Sequence, residues 1–324
     1  MDAAKDFLTE TTKLSERIIK LFFEKISFFG FSLYEMCLLF LVWSFIGWAI
    51  EVCAHALKMG EYSNRGFLSM PICPIYGVGV LIITIILGRF MDYPIVVFIL
   101  SSLICTAFEL AVGVLMKLIF QNMWWDYSDE HFNFKGYICL KVSIEWGLGC
   151  LIVEYCAEPW IEGMIGIIPR IIGVIVIIIM GVLIVIDCVN SVSAVYRLNL
   201  RLKEISEISA KMYDHSQKLG KKFADKALEA ADAGAEKAAE FYFASEEVSE
   251  EAERIKEEAK ELRDEIEEKL RSRYDALIAF SDREDRRVIR LINAFPSLRS
   301  SDNGEALEKL RISVREKLHH KNRG

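Results

Sequence analysis

The 324-residue chain is 53% hydrophobic and carries a formal net charge of only −7, a mild average that hides two unlike halves. All eight cysteines and all six tryptophans fall between Cys37 and Cys188, whereas the chain from Arg197 onward is dense in Glu, Lys, Arg and Ala. That balance argues against a nucleic-acid binder, and cysteines that never form a CxxC pair argue against a disulfide or zinc framework.

In chain order, the first segment is expected to be an amphipathic helix on the membrane surface, and its start does not read as a secretory signal peptide. Leu14, Ile18, Leu21 and Phe22 share one face, while Arg17, Lys20, Glu24 and Lys25 serve the wetter one. Five apolar segments then have the length to cross roughly 30 Å of hydrocarbon: 33–57, 74–90, 94–120, 137–157 and 163–189. Backbone groups in lipid must be paired within their own segment, so these are helices. Trp124, Trp125 and Trp160 read as interfacial anchors near the span ends. Two loops stand out. NRGFLSMPICPIYG, residues 64–77, brings two prolines and two glycines between the first two spans and reads either as a re-entrant entrance or as a tight surface turn. QNMWWDYSDEHFNFKGY, 121–137, groups Asp126, Ser128, Asp129, His131 and Asn133 for cation binding or, with more weight, for capping and loop closure.

The whole reads as an all-α protein. Residues 1–32 form the surface helix, 33–196 a polytopic membrane helical bundle of about five spans, and 197–324 a charged helical hairpin or coiled coil. Within this last region Ile255, Ala259, Leu262 and Ile266 recur at steps of three and four, the seam of a long helix that pairs with itself or with a second subunit. Placing that appendage in the cytoplasm also puts Lys58, Arg65, Lys117 and Lys135 inside, as basic residues prefer. Lys5, Lys13, Arg17, Lys20 and Lys25 oppose this, unless the first segment supplies part of a sixth crossing. The small basic patch around Arg286, Arg287 and Arg290 is expected to meet anionic headgroups or the acidic arm.

The chemistry lies in carboxylates where lipid should be. Glu51, Glu109, Glu145, Glu154 and Asp187 fall inside apolar segments, and a charge there needs a partner, a protein-lined cavity or a proton. Gly47, Glu51 and His55 share one helix face, as do Glu145 with Gly149, Glu109 with Gly113 and Asp187 with Ser191. The small residues let another helix approach each acid. Arg65, His55, Trp48 and Asn190 are candidate donors, Tyr76 can return a hydroxyl, and Arg170 opens the fifth span within reach of headgroups. The candidate polar site is therefore Trp48, Glu51, His55, Asn64, Arg65, Tyr76, Glu109, Asp126, Glu145 and Asp187. Cross-helix hydrogen bonding that merely holds the bundle together is a competing reading. No cofactor is specified, and one histidine is too few for zinc.

FIGWAIE, NRGFLSMPICPIYGVG, WWDYS and FNFKGYICLKVSIEWG together resemble the bacterial membrane family called Putative ABC-transporter type IV. Its corresponding residues here include Trp48, Glu51, Asn64, Arg65, Gly66, Pro71, Pro74, Tyr76, Gly77, Asp126, Tyr127, Ser128 and Trp146. The resemblance implies a multi-pass protein of the bacterial plasma membrane with a transport role. The chain contains no GxxxxGK[ST] phosphate loop, so transport driven by ATP would need a separate ATPase subunit. The expected function is a transport-associated or permease-like component. The alternatives are an intramembrane enzyme acting on a lipid or small polar group, and a scaffold that recruits partners through its helical arm.

Overall fold

A computed structural model of the chain describes residues 27–28, 30–60, 62–236, 268, 272 and 285–321. The proposed surface helix lies almost wholly outside the described residues. Its end is strand rather than helix, because β1 (Ser27–Phe28) pairs antiparallel with β2 (Phe31–Ser32) around Gly30 at φ 100°. The coiled-coil seam likewise falls outside the described residues.

α1 (Leu33–Met59) starts at a capping box, where the Ser32 side chain accepts from the Glu35 amide and Glu35 reaches back to the Ser32 amide. It ends on left-handed Gly60. α2 (Pro74–Leu87) and α3 (Pro94–Phe120) each carry proline in the first turn, where a missing N–H costs nothing. β4 (Asn133–Phe134) and β5 (Ile138–Cys139) close a small hairpin before α4 (Leu140–Ile152), and β3 (Asn122–Met123) precedes them.

The expected break at 158–162 is absent. α4 continues through a π-helical stretch, Val153–Ala157, straight into α5 (Glu158–Ile167), and the chain turns only at Ile168 and Pro169. The reason is local: the π-helical turn directly before Pro159 already interrupts the i→i−4 ladder where the proline lacks its N–H, so the helix runs on past it. α6 (Arg170–Glu236) then runs far beyond any bilayer. The rest comprises α7 (Asp285–Ala294), β6 (Arg299–Ser300) and α8 (Gly304–Lys321).

Among the described residues, three helices are long and apolar enough to cross a membrane, namely Leu33–Met59, Pro94–Phe120 and the Arg170–Lys211 part of α6, with Pro74–Phe90 shorter. Large apolar side chains such as Leu103, Leu118, Ile175 and Val185 are exposed along them, as lipid-facing surfaces are. The architecture is an all-α bundle of several such helices.

The chain divides into two units. The first holds residues up to 196 together with 287–301, and the second holds 197–286 and 302–324. Tyr34, Leu38, Leu39, Trp43, Ile165 and Val174 form one buried cluster of the first unit, and Ile83, Leu87, Val97 and Cys150 form another. In the second unit, Leu198, Leu202, Ile205 and Ile208 line one stripe of α6, and Leu307, Leu310 and Val314 line one of α8.

Candidate functional site

Helices α1 and α2 meet through glycines. A Cβ on Gly47 would lie 2.2 Å from the Tyr76 ring, and one on Gly77 would lie 2.5 Å from the Phe40 carbonyl oxygen. That closeness carries the Tyr76 hydroxyl to Glu51, to whose Oε1 it donates at 2.6 Å. Arg65 Nε lies 3.9 Å from the other oxygen of Glu51. The Tyr76 ring packs on Trp146, with centroids 5.5 Å apart, and Trp146 Nε1 donates to Glu109 at 3.3 Å. Tyr127 donates to the other Glu109 oxygen at 3.0 Å. Burial, helped by the Glu109 charge, pushes the Tyr127 phenol far above its ordinary pKa, so it remains a donor. Two acids from two helices are thus joined by an aromatic bridge, Glu51–Tyr76–Trp146–Glu109.

The hairpin 62–73 reaches this network through Arg65. Asn64 knits it together, accepting from Trp48 Nε1 at 2.8 Å and the Gly66 amide at 3.0 Å while donating to the Ser69 carbonyl at 2.9 Å. The Met70 amide donates to Asp187 on α6 at 2.8 Å, and the Cys73 amide donates to the Ser44 carbonyl at 2.8 Å. Ser44 lies fifteen residues before the end of α1, about 22 Å of helix, so the hairpin descends beside α1 before α2 begins. Non-helical backbone at such depth survives only where protein satisfies it.

The second loop assigns each residue of its WWDYS motif a contact. Trp124 is buried edge-on against Phe67, Phe120 and Phe295 instead of anchoring at the interface. Trp125 Nε1 donates to the Tyr137 carbonyl at 2.9 Å. Asp126 accepts from the Ser128 amide at 2.9 Å and pairs with Arg299 at 2.6 Å. Burial works against ionisation there, but the Ser128 donors and the Arg299 guanidinium outweigh it and hold the Asp126 carboxyl below the ordinary carboxylate range. Gly136, at φ 73°, passes so close that a Cβ would lie 2.4 Å from Asp126. Asn133 donates to the Ser128 and Glu130 carbonyls, at 3.1 and 2.8 Å, so it closes the loop. Among the described residues, no group of three or more His, Cys, Asp or Glu side chains is arranged to hold a metal ion.

Of the sequence candidates, Glu51, Arg65, Tyr76 and Glu109 belong to the network, and Trp48 and Asn64 hold the hairpin. Trp48 serves Asn64 rather than an acid. Asp126 and Asp187 brace the two loops from outside the network. His55 is half-buried one turn along α1 from Glu51. Glu145 is exposed, whereas its neighbour Trp146 points inward. The buried face of α4 follows Gly147, Cys150 and Glu154, and Glu145 lies off that stripe. Three further acids are tied one by one: Glu154 by the Thr84 hydroxyl at 2.8 Å, Glu158 by Trp43 Nε1 at 2.6 Å, and Asp187 as above. Glu158 could have been read from EPW, a carboxylate beside a helix-starting proline between apolar runs. Arg170 stacks over Tyr34, 4.6 Å from the ring centroid.

Arg290 corrects the expectation of a headgroup-binding patch. It donates to the Gly66, Phe67 and Leu68 carbonyls of the hairpin, at 2.7, 2.8 and 3.0 Å. No sequence signal links positions so far apart.

Residues 38–192 match the family described as Putative ABC-transporter type IV. Over that span the chain belongs to this family. No curated protein and no solved structure matches the chain. The ABC-transporter type IV span runs from the second turn of α1 to about a third of the way along α6, including both loops and every residue of the Glu51–Glu109 network. The chain is accordingly a multi-pass membrane protein of a transporter-like family, with three long apolar helices and one shorter one among the described residues.

Proposed function

We propose that the ABC-transporter type IV body is a permease-like core that binds a proton or small cation at the Glu51–Glu109 pair. The hairpin 62–73 forms its cytoplasmic entrance. The observation that carries this reading is the convergence of two span carboxylates on one aromatic bridge, with the Arg65 guanidinium at a loose 3.9 Å from Glu51. An ion pair built only for stability would be expected at closer range. Glu51 and Glu109 also have donors of their own, but two of these, Tyr76 and Trp146, pack on each other, whereas Glu154, Glu158 and Asp187 are each tied singly and take the structural role.

Five crossings follow if the continuous helix α4–α5 counts as one, with α1, α2, α3 and α6 as the others. The hairpin, the 121–137 loop and the 287–301 segment then share the cytoplasmic side, with Lys58, Arg65, Lys117 and Lys135. ATP-driven movement would engage a separate ATPase, and the helical appendage is a natural element for pairing between subunits.

The test is flux in proteoliposomes with a pH-sensitive dye inside. Glu51→Gln and Glu109→Gln should each slow dissipation of an imposed proton or cation gradient at least tenfold while leaving the protein folded. Flux unchanged in both variants would end this reading.

A further inference from the structure

The segment 287–301 lies far along the chain from the membrane helices, yet it belongs to their unit. Its contacts with the two loops have three parts. Arg290 grips three successive hairpin carbonyls, Gly66, Phe67 and Leu68. Phe295 stacks edge-on against Trp124, with centroids 4.8 Å apart. β6 pairs antiparallel with β3, placing Asn122 opposite Ser300 and Met123 opposite Arg299, with Arg299 on Asp126 and the Ser301 amide on the Gln121 carbonyl at 3.1 Å. The attachment is reciprocal, because Arg65 donates to the Ala294 carbonyl at the end of α7 and lies 5.8 Å from the Phe295 ring.

We propose that residues 287–301 form a detachable clamp that holds the hairpin closed over the Glu51 site, with Arg65 as the shared contact. Three features favour a device over a fixed wall. Its contacts with the loops are guanidinium–carbonyl and short-strand hydrogen bonds, which water can replace, and one aromatic contact, while Val288, Leu291, Ile292, Ala294 and Leu298 of the same segment are buried. Arg65 holds the Ala294 carbonyl through Nη1 while its Nε lies 3.9 Å from Glu51, so releasing the clamp leaves the guanidinium to the acid alone. The hairpin meanwhile keeps its ties to α1 and α6, through Trp48 and Asp187, which prevent its loss when the clamp leaves. This inference rests on reading the hairpin as the cover of the Glu51–Glu109 site.

The experiment is hydrogen exchange by mass spectrometry on the full chain in lipid nanodiscs, with alkylation of buried Cys73 followed in parallel. In the wild type, amides of 287–301 and of the hairpin should open as one group, faster than those of α3. Arg290→Gln should accelerate exchange at 66–72 and Cys73 alkylation at least tenfold, with α1 and α3 unchanged. Arg299→Glu changes an exposed side chain and so spares folding; it should accelerate exchange at 122–123 and 299–301. Hairpin protection equal to wild type with Arg290→Gln would overturn the clamp. Faster exchange spreading through α1 and α3 in both variants would also overturn it, by making the segment part of the global core. The readout needs no flux, so the clamp can stand while the transport reading fails, and the reverse.

Discussion

Tyr76 is where packing and polarity meet. Its ring occupies the space that Gly47 leaves, and its hydroxyl ends on Glu51. Tyr76→Phe keeps the ring and removes the donor. It should lower stability in detergent by about 1.5–3 kcal/mol, the usual worth of a hydrogen bond to a charged group, measured by thermal unfolding. Gly47→Ala should cost about 1–3 kcal/mol by overpacking. Because the clash is with Tyr76 itself, Tyr76→Ala should suppress it, and additive losses in the double variant would point to another cause. Glu51, Arg65, Tyr76 and Glu109 were legible in the sequence because a carboxylate in an apolar run has few innocent readings. Glu145 was misleading for the opposite reason. A membrane helix is apolar on its lipid face and on its core face alike, so periodicity cannot choose between neighbours about 100° apart on the helix.

At the scale of elements, the π-helical stretch 153–157 sets the phase between the two halves of the fourth apolar segment. It puts Glu154 on Thr84 and Glu158 on Trp43. Deleting the exposed Cys156 should convert it to α-helix with α4 and α5 near their present phase, and place Pro159 in a regular helix interior, where its ring meets the carbonyl one turn back. The unfolding temperature should fall by several degrees; an unchanged temperature would show that the stretch carries no weight. Length and apolarity predicted this segment, but an inserted residue without its own sequence signature could not be seen, and the break was expected too early. The β3–β6 pairing has a pH signature. Asp126 ionises below the ordinary carboxylate range, so its contribution is present at neutral pH and lost as pH falls through its depressed folded value. Acidification past that point should speed exchange at 122–123 and 299–301, and Asp126→Asn should remove the step.

For the molecule as a whole, membrane helices, their order and the special character of two loops follow from hydropathy and from proline and glycine placement. The return of residues 287–301 to those loops does not, since contacts at such separation leave no local pattern. The five-crossing arrangement predicts opposite exposure of two loops. With membrane-impermeant thiol reagents on a cysteine-free background, Tyr62→Cys and Phe132→Cys should label from the cytoplasmic side and Asp92→Cys from the other. Labelling of all three from one side would refute that topology.

The account turns on two carboxylates, carried by different helices, acting as one site. A double-mutant cycle on gradient dissipation in proteoliposomes measures that directly, comparing Glu51→Gln, Glu109→Gln and the pair. One shared site predicts that the double variant is no slower than the slower single, each being at least tenfold below wild type. Losses that multiply, or no loss in any of the three, would contradict it.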